Sequence, residues 1–359
     1  MKLQWLNEWK RSQETVLLVG DIGGTNTNLA LAVAQGSQIE LLVKIVFESA
    51  RVKDFMDCVR ETLDALKQKW PDIAVTKCCL SGAGPVSNNV CRMTNQSWTI
   101  DGNAIQKAFG FPTQVINDFT AISFGLPLLD VNDPAQISVL RRPNGNSPFP
   151  KGDLRAVLGP GTGLGVGFIT QQGNLWRAFA SEGGHMDLAD FDEDTRDFKA
   201  WLTKAIGVVP EYEMAISGMG IKNLFHFFYE RGDFDKLDPV IQAIFVESDA
   251  DKPALISQAA ARHAGCRRIM ETFVRLLARL SASVSCLLLP HAGLFLAGGI
   301  TAKNLSFLSE DDLFIRTFEQ HSNPNLKKVL HEIPVYVIHD YSISLYGAAN
   351  AALSLMASP

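Results

Sequence analysis

Asp21-Ile22-Gly23-Gly24-Thr25-Asn26 sets a carboxylate, two glycines and two neutral polar side chains directly after the apolar run 16–20. Gly23 and Gly24 permit turns and close backbone approach closed to other residues. Backbone N–H groups in such a turn can receive phosphate oxygens, with Thr25 and Asn26 adding donors. Asp21 can hold a phosphate-bound Mg2+ directly or through water. Taken alone, these residues fit a tight, capped hairpin equally well. A second glycine loop, Gly159-Pro160-Gly161-Thr162-Gly163-Leu164-Gly165, also lies at a strand junction, where the plainer alternative is an irregular connection. Its spacing misses GxGxxG, and no GxxxxGK[ST] occurs in the chain, so a phosphate site cannot use the P-loop lysine.

Three further clusters are polar. Asn117-Asp118 ends an apolar stretch, where ligand sites of α/β folds gather. Asp118 suits the proton acceptor of a phosphoryl transfer and Asn117 a neighbouring hydroxyl. The alternative for Asp118 is an ordinary helix N-cap. Glu182-Gly183-Gly184-His185 places a carboxylate and an imidazole around two glycines, a cradle for polyol hydroxyls or a plain tight turn. A zinc reading there needs more ligands than any nearby Cys or His supplies. Glu213 adds a carboxylate before Ser217-Gly218; alone it reads as a solvated helix residue. Gly298-Gly299 repeats the strand–glycine theme, suited to a base or ribose or to helix capping, and Gly218 is placed on a facing wall.

These clusters need strands and helices to hold them. Apolar runs predict strands over 16–20, 29–33 and 39–47, a helix over 52–70 stopped by Pro71, a strand over 75–80, a helix over 101–109 and a strand over 113–117. That βββαβαβα pattern is a mixed α/β unit. The segment 127–153, rich in Pro, Asn and Gly, reads as surface loops. The pattern then restarts with strands over 154–158, 166–170 and 175–180, so two glycine turns open two similar βββ arrangements. One long helix is expected over 254–288, a strand over 293–297, and a closing strand and small-residue helix at 335–338 and 344–353.

With 359 residues the chain has room for two domains. Its 47% hydrophobic and 20% charged residues fill sizeable cores, and a net charge of -5 leaves no excess positive charge for nucleic acid. The six cysteines form no CxxC pair, and Cys78-Cys79 read as buried thiols. The amphiphilic start lacks a signal-peptide core and no transmembrane span is evident, which points to a soluble cytoplasmic protein.

In this order the motifs resemble the bacterial glucokinase family of the hexokinase/actin-like superfamily over about 16–350. DIGGTN at 21–26 and GPGTGLG at 159–165 are similar to its phosphate loops, MTN-x-x-W at 93–98 to its sugar-side loop and VINDFTA at 115–121 to its catalytic segment. SEGGH at 181–185 and LAGGI at 296–300 resemble its sugar and adenosine motifs. The resemblance implies an α/β two-lobed actin-like ATPase (ribonuclease H-like) fold with a central cleft. Its small domain would cover 1–120, completed by the helix 340–355, and its large domain 121–339. It implies ATP and Mg2+ as cofactors, glucose converted to glucose 6-phosphate, and a homodimer. Asp118 would be the base. Asn95, Asn117, Glu182, His185 and Glu213 would hold the sugar. Gly23, Gly24, Thr25, Asn26, Gly161, Thr162, Gly163, Gly218, Gly298 and Gly299 would hold the nucleotide, with Asp21 at the metal. No cysteine follows His185 until Cys266, so the resemblance is to the zinc-free branch. A kinase for fructose or mannose, or a non-catalytic sugar-binding regulator, would share most of these motifs.

Overall fold

The computed structural model describes residues 1–10, 15–36, 38–94, 96–173, 175–179, 181–340 and 342–355. It divides into two compact units, residues 1–129 with 168–180 and 340–359, and residues 130–167 with 181–339.

The first unit is built on β1 (Lys2–Trp5), β2 (Thr15–Ile22), β3 (Asn26–Gln35), β4 (Gln38–Glu48) and β5 (Lys77–Gly82). A small three-stranded sheet follows, β6 (Val86–Ser87), β7 (Val90–Arg92) and β8 (Thr99–Asp101), and then β9 (Thr113–Asn117). The main sheet runs β1-β4-β3-β2-β5-β9. Pairing is antiparallel from β1 to β2 and parallel from β2 through β5 to β9. β2 reads as a continuous apolar run because it is covered on both faces, with Leu17, Leu18 and Val19 fully buried. The parallel register sets Asp21 opposite Ser81, and Gly82 opposite Asn117. The C-terminal ends of β2 and β9 therefore emerge at the same edge of the sheet, separated by β5.

Helices cover this sheet with sequence-coded ends. Asp101 caps Gly102–Phe109 by accepting from the N–H groups of Asn103 and Ala104, and Gly110 closes it at φ 82°. Asn117 caps Asp118–Gly125. The last helix, Ile343–Leu355, packs on that helix, β2 and β5. Its contact with Asp118–Gly125 is close because both sides are glycine: a Cβ on Gly347 would overlap the Ala121 carbonyl, and one on Gly125 would overlap Ile343. Asn350 Nδ2 donates to the Phe124 carbonyl at 2.8 Å across this contact.

The second sheet contains β10 (Ile137–Val139), β11 (Arg155–Pro160), β12 (Leu164–Gln172), β13 (Leu175–Phe179), β14 (Leu294–Leu296) and β15 (Val335–Ile338), in the order β10-β15-β14-β11-β12-β13. β11, β14 and β15 are parallel neighbours; β10 and β13 join antiparallel. β12 starts in the second unit and from Phe168 onward belongs, with β13, to the first. No described helix is long and apolar enough to cross a membrane.

Several expectations need correction. The amphiphilic N-terminus supplies an edge strand, β1, whose Trp5 stands edge-on to Trp70. The stretch 127–153 is more than loop. It holds β10, and it holds buried Arg142, which pairs with Glu319 at 2.8 Å and donates to the carbonyls of Leu330, His331 and Ile333. The long helix is two, Lys252–Ala259 and Ala264–Leu288, because His263 leaves helical geometry to cap the second with Nδ1. The helix expected from 52 begins only at Phe55, where Asp54 caps it. All six cysteines are free thiols, and Cys78 and Cys79 are fully buried.

Candidate active site

In the first unit, Asp21 is the penultimate residue of β2, and after Ile22 the chain reverses through Gly23–Asn26. Gly23 N–H donates to the Asn26 carbonyl at 2.9 Å, so that amide is spent on the turn itself. Ser49 Oγ donates to the Gly23 carbonyl at 2.9 Å, and Gln96 Nε2 to the Gly24 carbonyl at 2.7 Å. These bonds fix the loop from two other segments and leave Gly24, Thr25 and Asn26 facing solvent. Asp21 is half-buried and hydrogen-bonded to Ser344 at the head of the last helix; desolvation pushes its carboxyl pKa up.

Asn117 and Asp118 lie where β9 passes into a helix. The capping role expected of Asp118 falls to Asn117, whose Oδ1 accepts from Phe119 N–H at 2.9 Å. Asp118 is the first helical residue, and its Oδ1 shares the same N–H at 2.9 Å. The amide Nδ2 of Asn117 makes a long 3.4 Å contact with the Gly84 carbonyl, and the Asn117 side chain also hydrogen-bonds the Asp118 carboxyl. Burial raises the Asp118 carboxyl to about 6, and the nearby charge of Asp21 pushes the same way. Asn95 lies outside the described residues.

In the second unit, the loop after β11 is tied down from the segment 211–218. Gly218 N–H donates to the Gly161 carbonyl at 2.9 Å, and Leu164 N–H to Glu213 Oε2 at 2.7 Å. A Cβ on Gly163 would stand 2.5 Å from that carboxylate oxygen, so glycine is what lets Glu213 reach the loop. Gly161 and Thr162 crown the turn, with open space around Gly161. Glu213 sits on a short 3-10 turn, Tyr212–Met214, rather than on the helix expected for it; that helix starts at Gly218 under a Ser217 cap. Glu182 precedes and His185 ends another 3-10 turn, Gly183–His185. The Glu182 side chain is 86% exposed, and its Oε2 is 3.8 Å from His185 Nε2. The other ring nitrogen, Nδ1, meets Glu211 Oε2 at 3.0 Å. Gly298, at φ 91°, packs against the Pro160 carbonyl and leads into Gly299, the first residue of the short helix Gly299–Lys303.

The model of the family described as Glucokinase matches residues 18–355. The glucokinase of Nostoc punctiforme is 32% identical over 95% of this chain and all of its own length. The chain belongs to the glucokinase family. Its fold is that of the hexokinase/actin-like ATPases. The crystal structure of a glucokinase from an Antarctic psychrotroph superposes with a TM-score of 0.79 at 26% identity, over 95% of this chain and 99% of that one. A ROK family glucokinase from Streptomyces griseus, in complex with glucose and AMPPNP, shares the fold at a TM-score of 0.60 and 18% identity, over 94% and 98% of the two chains. By homology the protein is a sugar kinase drawing on ATP, and the family works with ATP and Mg2+.

Two carboxylates of the first unit, Asp21 and Asp118, are of the hard-oxygen type that a divalent cation takes. Asp21 and Asp118 both have raised carboxyl pKa values, and Asp21's charge adds to the rise at Asp118, so a nearby cation would relieve both. The glycine turns offer backbone and hydroxyl donors of the kind phosphates take.

The sequence reading missed Glu211. As further zinc ligands beside His185 only Cys and His were considered, whereas the neighbours here are carboxylates. One atom each from His185, Glu211 and Glu213 lies within 4.8 Å of the others, because the chain between Pro210 and Tyr212 runs beside 186–188. Those atoms already have partners: Glu211 on the imidazole, Glu213 on Leu164 N–H. The one local signal was a second carboxylate, Glu211, two positions before Glu213. Ser344, which holds Asp21 from 323 positions away, carries no sequence signal at all.

Proposed function

We propose that the protein transfers the γ-phosphoryl group of ATP to the 6-hydroxyl of D-glucose, with Asp118 as general base. The observation that carries the reading is the state of Asp118: a carboxylate at a strand end whose pKa is raised to about 6. A base is most effective when its pKa lies near the working pH, because it is then both ionised and able to take a proton. In this reading Asp118 accepts the hydroxyl proton as the phosphoryl bond forms. Asn95, the Asn117 amide, Glu182, His185 and Glu213 hold sugar hydroxyls. The turns at Gly23, Gly24, Thr25 and Asn26 and at Gly161, Thr162 and Gly163 hold phosphates, and Gly218, Gly298 and Gly299 lie at the adenosine. Asp21 would hold Mg2+. When bound, ATP supplies the phosphoryl group and Mg2+ offsets its negative charge.

The small domain in this reading is 1–120 with 340–355, the large one 121–339, and the enzyme works as a cytoplasmic homodimer. A coupled assay with ATP and a panel of hexoses tests the substrate. Glucose is expected to give the highest kcat/KM. Preference for fructose or mannose would keep the kinase and replace the sugar. Glucose binding with no ATP consumption under any hexose would make the protein a sugar-binding regulator.

A further inference from the structure

We infer that Glu211 is a positioning residue for sugar recognition: by accepting a hydrogen bond from Nδ1–H of His185 it fixes the imidazole's tautomer and ring plane and leaves Nε2 for a substrate hydroxyl. The inference rests on the sugar-binding role proposed above for His185.

Glu211 is itself held. Its backbone bridges Asp187 in antiparallel fashion, Tyr212 N–H donates to the Met186 carbonyl at 2.9 Å, and Leu188 N–H to the Pro210 carbonyl at 2.8 Å. The chain carrying Glu211 is thus bonded to the chain just after His185, and the two side chains meet at 3.0 Å with the Glu211 side chain only 31% exposed. A neutral imidazole donates from one nitrogen and accepts at the other, and the partner on one side decides which. A carboxylate only accepts, so it selects the Nδ1–H form. Nε2 then faces away from Glu211, 3.8 Å from the exposed Glu182 carboxylate. An Nε2 acceptor beside a carboxylate suits two adjacent sugar hydroxyls as donors. At lower pH the ring gains a second proton, and Nε2 becomes a donor instead. The acidic groups facing the ring are Glu211, Glu213 and Glu182, and together they raise its pKa, the Glu211 hydrogen bond most.

The test uses the full-length protein, Glu211→Ala and Glu211→Gln. Nitrogen NMR of 15N-histidine-labelled protein, with the His185 signals assigned by their loss in His185→Ala, reads the tautomer directly. Calorimetry reads glucose affinity, and steady-state kinetics reads KM for ATP. Wild type is expected to hold the Nδ1–H form. Glu211→Ala should lose that preference and weaken glucose binding about tenfold or more, the scale of one charge-assisted hydrogen bond. KM for ATP should stay within about twofold, because no phosphate contact is removed. Glu211→Gln can still accept from Nδ1–H but lacks the charge, so its His185 titration midpoint should fall below that of wild type. A folded Glu211→Ala with unchanged tautomer and glucose affinity would overturn the inference. If that variant does not fold, an unchanged midpoint in Glu211→Gln overturns it. A zinc ion retained on Nδ1 in the purified wild type would overturn it too. If wild type does not bind glucose, the substrate reading falls, while the NMR arm still decides the Glu211–His185 pair.

Discussion

Asp118 is pulled in opposite directions by its surroundings. The Phe119 N–H bond and the helix N-terminus favour the charged carboxylate, while burial and the nearby Asp21 favour the neutral acid. Burial wins, and the consequences can be measured. As general base it must be ionised, so kcat/KM should fall about tenfold per pH unit below roughly pH 6. Asp118→Asn keeps size and much of the hydrogen bonding but not the base, and should lower kcat by ~10²–10⁴-fold with glucose affinity within about tenfold. Near-normal kcat in that variant would remove Asp118 from the role. The same shift carries a stability sign. Because the folded-state pKa lies above the unfolded one, the native protein binds the extra proton between about pH 4 and 6, and stability falls as pH rises through that window. Asp118→Asn without ligands should therefore be more stable than wild type at pH 7–8, on the order of 2 kcal/mol. The gain should vanish near pH 4. Denaturant unfolding at the two pH values checks it.

Elements place these side chains through glycines that admit only one arrangement. Gly347 lets the last helix touch the helix begun by Asp118, and its first turn brings Ser344 to Asp21. Gly347→Ala would drive a methyl into the Ala121 carbonyl. It should destabilise by roughly 1–3 kcal/mol through forced backbone shifts, and kcat should fall more than glucose affinity because Asp21 and Asp118 both shift. An unchanged melting temperature would show that the two helices separate at no cost. In the second unit, Gly163 and Gly184 do the same for the phosphate loop and the Glu182–His185 turn: a Cβ at Gly184 would overlap the Leu164 carbonyl.

At the scale of the molecule, the order of motifs along nearly the whole chain places it in the glucokinase family. The homodimer in the proposed function is open to direct measurement. Light scattering coupled to size exclusion should give twice the 39.3 kDa chain mass at micromolar concentration. A mass of one chain would remove the dimer and leave the proposed chemistry as it is.

The order of strands and glycine turns, the two βββ arrangements and the grouping of Asp21, Asn117 and Asp118 at strand ends were legible in the residues themselves. Apolar runs and glycine–polar junctions are local signals, and parallel strands carry their C-terminal ends to one edge. Local pattern could not show which residue caps which helix. Asp118 reads as an N-cap, yet Asn117 turns its amide back onto Phe119 N–H. Nor could it show β1 and β10, short edge strands whose partners β4 and β15 lie far along the chain. Arg142 looked like part of a loop because the carbonyls and the carboxylate it gathers are about 180 residues away in sequence. Glu211 on His185 and Ser344 on Asp21 belong to the same class. Each is a long-range pairing of a common polar residue, and such pairings come into being only when packing has brought distant segments within hydrogen-bond reach.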